Sequence, residues 1–77
     1  MNARKLNKAR DVIDYIAFIV NDFAEKHNLT ARQSFDYLHQ YGGITFLGKF
    51  YEVEHCENPA ITLRSLQRIC SRHGGNL

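Results

Sequence analysis

Four histidines and two cysteines are the side chains of this 77-residue chain best suited to hold a metal or move a proton. Cys70 and His73 stand one helical turn apart, a spacing that zinc sites use. His55 and Cys56 would have to complete such a set. They are adjacent, so their side chains diverge unless the loop is bent. Cys56 and Cys70 therefore read as small buried hydrophobes, and His73 as a solvent-facing residue near a helix end. His27 closes the apolar face of the first helical segment and reads as a packed residue at the core edge. His39 lies between Leu38 and Gln40 and reads as exposed. His55 follows an aromatic pair and precedes a thiol in a piece that reads as non-helical. It is the most individual of the four, with a structural hydrogen-bonding role expected. No Ser/His/Asp set, no glycine-rich phosphate cradle and no paired-carboxylate motif is present. The residues point to no catalysis, no metal and no cofactor.

Charge is more informative in its placement than in its sum of +2. Residues 1–10 hold Arg4, Lys5, Lys8 and Arg10 and no acid. Residues 11–58 hold all eight acids against Lys26, Arg32 and Lys49, a net of −5. Residues 59–77 hold Arg64, Arg68 and Arg72 and no acid. Basic ends can pack on an acidic middle, or meet an acidic partner. Arg64, Arg68 and Arg72 recur every fourth residue, so they share a helix face that could contact phosphates. A helix-turn-helix around Gly42-Gly43 would use the Ile44 segment for recognition. Thr45, Lys49 and Glu52 are poor readers of base edges, and the segment is too apolar.

The elements follow from periodicity. Ile13, Ile16, Val20, Phe23 and His27 recur at steps of three and four and predict one face of a helix ending near His27. Val12, Tyr15, Phe18 and Ile19 widen its apolar surface, so other segments must wrap it. Asn28-Leu29 is a break. Thr30-Ala31-Arg32-Gln33 fits a capping box. Ser34 is polar, so a hydrophobic staple would have to use Phe35 or be absent. Phe35, Leu38 and Tyr41 predict the face of a second helix stopping at Gly42-Gly43. A short helix is expected from about Ile44 to Tyr51, weakened by Gly48, then a bend or an extended piece carrying Tyr51, Val53 and His55. Asn58-Pro59 starts a last helix, with Thr62 a competing cap. Leu63, Leu66, Ile69 and Cys70 predict its buried face, and Gly74-Gly75 its end. The expected fold is all-α, a small single-domain bundle of three to four helices around a long apolar N-terminal helix. It spans residues 1–77, with about 1–6 and 74–77 frayed.

The chain is short, and only roughly 60–65% of its unfolded surface can be buried. Apolar residues make up 44% and aromatics 12%, which suits a globular domain rather than a disordered one. Two cysteines are too few for a secreted disulfide scaffold. The start reads as no signal peptide, and no run of 18 apolar residues occurs. A soluble cytoplasmic protein with reduced thiols is expected.

Leu29-Thr30, Tyr41-Gly42 and the segment Phe50-Tyr51-Glu52-Val53-Glu54-His55 resemble a family of small bacterial helical proteins of unknown function. The resemblance runs from about Tyr15 to Ile69. Members are often encoded beside proteins resembling ADP-ribosyltransferases. The resemblance implies an accessory or antitoxin-like partner role. The family's last helix is usually acidic, whereas this one carries Arg64, Arg68 and Arg72. Separately, Arg68 with His73 and Arg32 with His39 resemble the loosely spaced Arg/His motif of a small helical nuclease-like superfamily of bacterial toxins.

Together these features lead to a protein–protein interaction module without catalysis. Its partner surface is expected at Phe50, Tyr51, His55, Arg64, Arg68 and Arg72. The partner is another protein, ADP-ribosyltransferase-like by the resemblance, or a second copy of the chain. The alternative is a nucleic-acid-binding regulator that uses the basic face of the last helix. No membrane partner is expected.

Overall fold

The computed structural model describes the backbone of residues 3–77 and the side chains of residues 8–77. It is all-α, with five helices in chain order and no strand among the described residues. They are α1 (Ala3–His27), α2 (Ala31–Gln40), α3 (Gly43–Lys49), α4 (Tyr51–Glu54) and α5 (Pro59–Arg72). The molecule measures 44 × 22 × 21 Å. A 25-residue helix is about 37 Å long, so α1 alone sets the long dimension.

α1 ends because Asn28 takes a left-handed conformation, φ 57°. The Leu29 amide then donates to the Ala24 carbonyl at 2.8 Å, and the Asn28 amide to Glu25 at 3.4 Å. These two bonds satisfy carbonyls that the last turn would leave bare. The chain turns at once into α2. There the Thr30 hydroxyl accepts from the Gln33 amide at 3.0 Å, and the Gln33 side chain accepts from the Thr30 amide at 2.9 Å. The capping box is formed as its residues suggest.

The core gathers Ile19, Val20 and Phe23 of α1, Leu38 of α2, Leu47 of α3, and Leu63, Leu66 and Cys70 of α5. The continuous apolar rod expected of α1 is not what the helix presents. Ile19 and Phe23 are fully buried, but Ile13 is 65% exposed and Phe18 49%. Phe18 lies on the side of α1 opposite Ile16 and Phe23, away from the core, and Ile13 lies at the border of the α1–α2 contact beside Phe35.

The face of α2 also differs from expectation. Ser34 is fully buried, whereas Phe35 is exposed. The buried stripe is therefore Ser34, Leu38 and, partly, Tyr41. A serine is tolerated because its hydroxyl donates to the Val20 carbonyl at 2.7 Å, which satisfies both groups. A side chain this small lets α2 lie close on α1.

The piece around Val53 is a turn of helix, not an extended segment. The Val53 and Glu54 amides both donate to the Phe50 carbonyl, at 3.1 and 2.8 Å. With no strand nearby to supply partners, local helical bonds are what remain for these amides. In α5, Asn58 caps as expected, accepting from the Ala60 amide at 2.9 Å, with Pro59 in the first turn. Thr62, the competing cap, is instead buried within the helix, and Ile69 is only half-buried.

Of the stretch 1–6, residues 1–2 lie outside the described residues, and α1 is described from Ala3. The other end departs from the fraying expected. There Gly74 takes φ 100° and the Gly75 amide donates to Cys70 at 2.8 Å. The Leu77 amide donates to the Tyr37 hydroxyl at 3.1 Å, and the Gln67 amide group to the Leu77 carbonyl at 3.2 Å. The tail is latched across α2 and α5.

Two glycines in the α2–α3 region separate conformational need from mere tolerance. Gly42 sits at φ 86°, where a side chain is strained. Gly48 lies within α3 with open space where a Cβ would go. Gly48→Ala is expected to stabilise by roughly 0.5–1 kcal/mol, and Gly42→Ala to destabilise by about 1 kcal/mol or more. Urea unfolding followed by circular dichroism reads both, and equal effects at the two sites would contradict the assignment.

Candidate partner-binding surfaces

The expected partner residues fall on two neighbouring parts of the molecule. Phe50 links α3 and α4 and is 44% exposed. Its ring lies 5.3 Å from that of Phe46, and the Lys49 ammonium is 5.6 Å from the Phe50 ring centroid. Tyr51 and His55, one turn apart on α4 and its cap, stack with centroids 4.2 Å apart and planes 10° from parallel. Tyr15 of α1 meets both rings edge-on, at 5.6 and 6.5 Å. Tyr51 and His55 are thus part of the seam that holds α4 on α1.

Hydrogen bonds define this seam further. His55 Nδ1 lies 2.6 Å from the Tyr51 carbonyl. A carbonyl can only accept, so the proton sits on Nδ1, and Nε2 faces the Cys56 thiol at 3.7 Å. The Tyr15 hydroxyl donates to Thr62 over a long 3.5 Å, and the Thr62 hydroxyl donates to a Glu54 oxygen at 3.0 Å. Burial raises the Tyr15 phenol above its ordinary value, against the opposing hydrogen bond to Thr62. Lys8 pairs with Glu52, tying the basic start of the chain to α4. The hydrogen bond and charge of Lys8 hold the Glu52 carboxyl below its usual range.

Arg64, Arg68 and Arg72 are all exposed along α5. They line an open groove of about 430 Å³ together with Gln67, Ser71 and Leu77. Arg68 and Arg72 also border a second groove, of about 230 Å³, with Phe46, Glu54 and Ile69. That groove joins the arginine stripe to the Phe46/Phe50 corner. None of the three arginines belongs to an ion pair among the described residues, where the pairs are Lys8–Glu52 and Arg32–Asp36. Lys8 alone of the N-terminal basic residues is seen paired with the acidic middle, Arg4 and Lys5 lying outside the described side chains. Among the described residues no ion pair joins the arginines of α5 to it.

The remaining candidates are dispersed. Among the described residues no group of three or more His, Cys, Asp or Glu side chains is gathered. Cys56 is exposed rather than a buried hydrophobe, and Cys70 is buried. Burial raises the Cys70 thiol above its ordinary value and keeps it protonated. His73 is exposed, and its Nδ1 lies 2.8 Å from the Ile69 carbonyl. Arg32 pairs with Asp36 at 3.2 Å, and His39 stacks on Phe35. Neither Arg/His pair of the nuclease-like spacing is joined by a contact.

Sequence reasoning passed over an apolar groove between α1 and α2. It is lined by Ile13, Ile16, Ala17, Val20, Ala31 and Phe35, with Asn21 and Arg32 at its edge, and holds about 450 Å³. Its α1 residues recur at steps of three and four, the same signal that was assigned wholly to the core. Ile16 and Val20 serve both, and Ile13 and Ala17 differ from them only in lying further round the helix from the core.

The architecture and its surfaces define a small all-α domain with a basic helix face and an uncovered apolar groove. The chain belongs to the family described as "Protein of unknown function (DUF3791)", whose model matches residues 10–73. That span runs from the first half of α1 through the cap of α5. No curated protein and no solved structure matches the chain.

His27 supplies a pH test of this packing. Its ring lies 4.3 Å from that of Phe23, and its Nε2 is buried without a hydrogen-bond partner. Burial, helped by the Lys26 charge, lowers its pKa below the ordinary 6.5. The unfolded chain therefore takes up a proton near that value which the folded chain resists. The stability contributed by neutral His27 is full above 6.5 and is lost as pH falls from there through the lowered folded value. Melting temperature is expected to drop between about pH 7 and about pH 5, and to drop less in His27→Phe. Thermal scans at a series of pH values check this, and parallel curves for the two chains would remove His27 from the account.

Proposed function

We propose that this protein is a non-catalytic interaction module, an accessory or antitoxin-like partner of a protein encoded beside it. It uses the arginine face of α5 and the adjoining Phe46/Phe50 corner to hold an acidic surface. One observation carries the reading. Three exposed arginines stand in register on one helix, and none has an acidic partner among the described residues. Guanidinium groups left in this way favour bidentate contacts with carboxylates. The exposed ring of Phe50 nearby offers the kind of aromatic anchor that interfaces favour.

The resemblance to a family whose members neighbour ADP-ribosyltransferase-like proteins makes such a protein the first partner to test. The proposed compartment is the cytoplasm. Both cysteines are free thiols, with Cys56 exposed, which suits a reducing environment. Among the described residues no helix is long and apolar enough to cross a membrane. Within this reading, Tyr51 and His55 shape the corner by holding α4 on Tyr15, and Phe50 and the arginines make the contacts.

The same stripe gives the second reading its basis, since exposed arginines also bind phosphates. Co-purification with the protein encoded beside this one, expected from the resemblance to be ADP-ribosyltransferase-like, separates the two. The expected result is a stable complex that Arg68→Glu and Arg72→Glu each weaken by about tenfold or more. Retention of full affinity in the double variant would refute the proposed surface. Filter binding to nucleic acid across a salt series decides the alternative. Affinity that falls steeply with salt, with a slope reduced in Arg68→Ala, would favour it over a protein partner.

A further inference from the structure

The α1–α2 groove shares no residue with the arginine stripe, so its role stands or falls separately. We infer that it binds a second copy of this chain, with the two α1 helices packed antiparallel and Ala17 at the two-fold axis. The face is apolar and uncovered. Ile13 is 65% exposed and Phe35 41%, on either side of small Ala17 and Ala31. Ile13, Ala17 and Val20 follow steps of four and three, the seam along which helices interlock. Ile13 stands out as a knob, and Ala17, Val20, Asn21 and Ala31 surround a hole of the kind such a knob fills.

Charge selects a second copy, and its direction. With Ala17 facing Ala17, antiparallel residues meet when their numbers sum to roughly 33–35. Ile13 of one copy then reaches the Val20/Asn21 hole of the other. Arg10 reaches Glu25, and Asp14 reaches Asn21. Arg10, Asp14, Asn21 and Glu25 are all exposed, and Arg10 and Glu25 belong to no ion pair among the described residues. A parallel pairing would set Arg10 on Arg10 and Asp14 on Asp14, which repels. Arg10 and Glu25 flank opposite ends of the seam, so they face each other only when the second copy is reversed. Four helices, α1 and α2 from each copy, would then close over the apolar surface that one copy leaves wet.

Light scattering on the full chain across a concentration series tests the inference. The expected mass is twice the 8.9 kDa of one chain. Ile13→Asp, at a position exposed in the single copy, is expected to keep its circular dichroism and to weaken the dimer on the order of thirtyfold or more. Arg10→Glu is expected to weaken it on the order of tenfold, and adding Glu25→Arg to restore it. In a Cys56→Ser background, Ala17→Cys is expected to form a disulfide-linked dimer under mild oxidation. Asp11→Cys, on the far side of the helix, is expected to form little. A chain that stays monomeric at every soluble concentration overturns the inference. So does a dimer indifferent to Ile13→Asp, a charge reversal without rescue, or equal cross-linking through Asp11→Cys. Each outcome leaves the arginine-face proposal untouched.

Discussion

Phe23 and Ile19 of α1 have to be kept from water, and the remaining helices are arranged to do it. Both are fully buried, and so are Leu38, Leu47 and Leu66, one from each of the three helices packed around them. Each such side chain contributes about 1.5–3 kcal/mol relative to leaving it exposed. A core this small leaves little margin against the cost of ordering the chain. The polar contacts that close its borders therefore matter. Ser34 on the Val20 carbonyl sets how closely α2 approaches α1. Tyr37, stacked on Phe23 at 5.8 Å, also holds the C-terminal tail through its hydroxyl. The same ring thus seals the core and latches the chain end.

Outside that core the molecule treats its charges unequally. Lys8 is joined to Glu52 and Arg32 to Asp36, whereas the arginines of α5 have no such partners among the described residues. Glu54, which borders a groove with Arg68 and Arg72, accepts from the Thr62 hydroxyl. That bond also orients the Tyr15–Tyr51–His55 ring cluster through Thr62. Through that bond Glu54 helps to build the α1–α4–α5 junction. Two surfaces of different chemistry result, one basic and bordered by rings, one apolar and lined by small and branched side chains.

Much of the architecture was legible from local signals. Thr30 with Gln33, and Asn58 with Pro59, marked helix starts whose bonds the structure makes. The end of α1 at Asn28 and of α5 at Gly74 likewise followed from residue type. What was not legible depended on neighbours far along the chain. Ser34 is buried because a carbonyl fourteen residues earlier accepts its proton, which no periodicity discloses. Thr62 looked like a cap and is a core hydroxyl, because Glu54 and Tyr15 meet it. Tyr51, Val53 and His55 alternate as a strand would, yet the described residues offer no partner strand, and four residues curl into a helical turn. For the surfaces, the arginine register could be read from spacing alone. The α1–α2 groove could not, because its residues carry the same period as the core beside them.

α1 outruns the body it packs on, and the molecule is twice as long as it is wide. A rod of these proportions does not tumble equally about all axes. The amide bond vectors of α1 lie close to the long axis, so only end-over-end rotation reorients them. Those of helices lying across it also sense the faster spin. In nuclear spin relaxation α1 would therefore look like part of a heavier particle than the rest of its own chain, without any difference in internal flexibility.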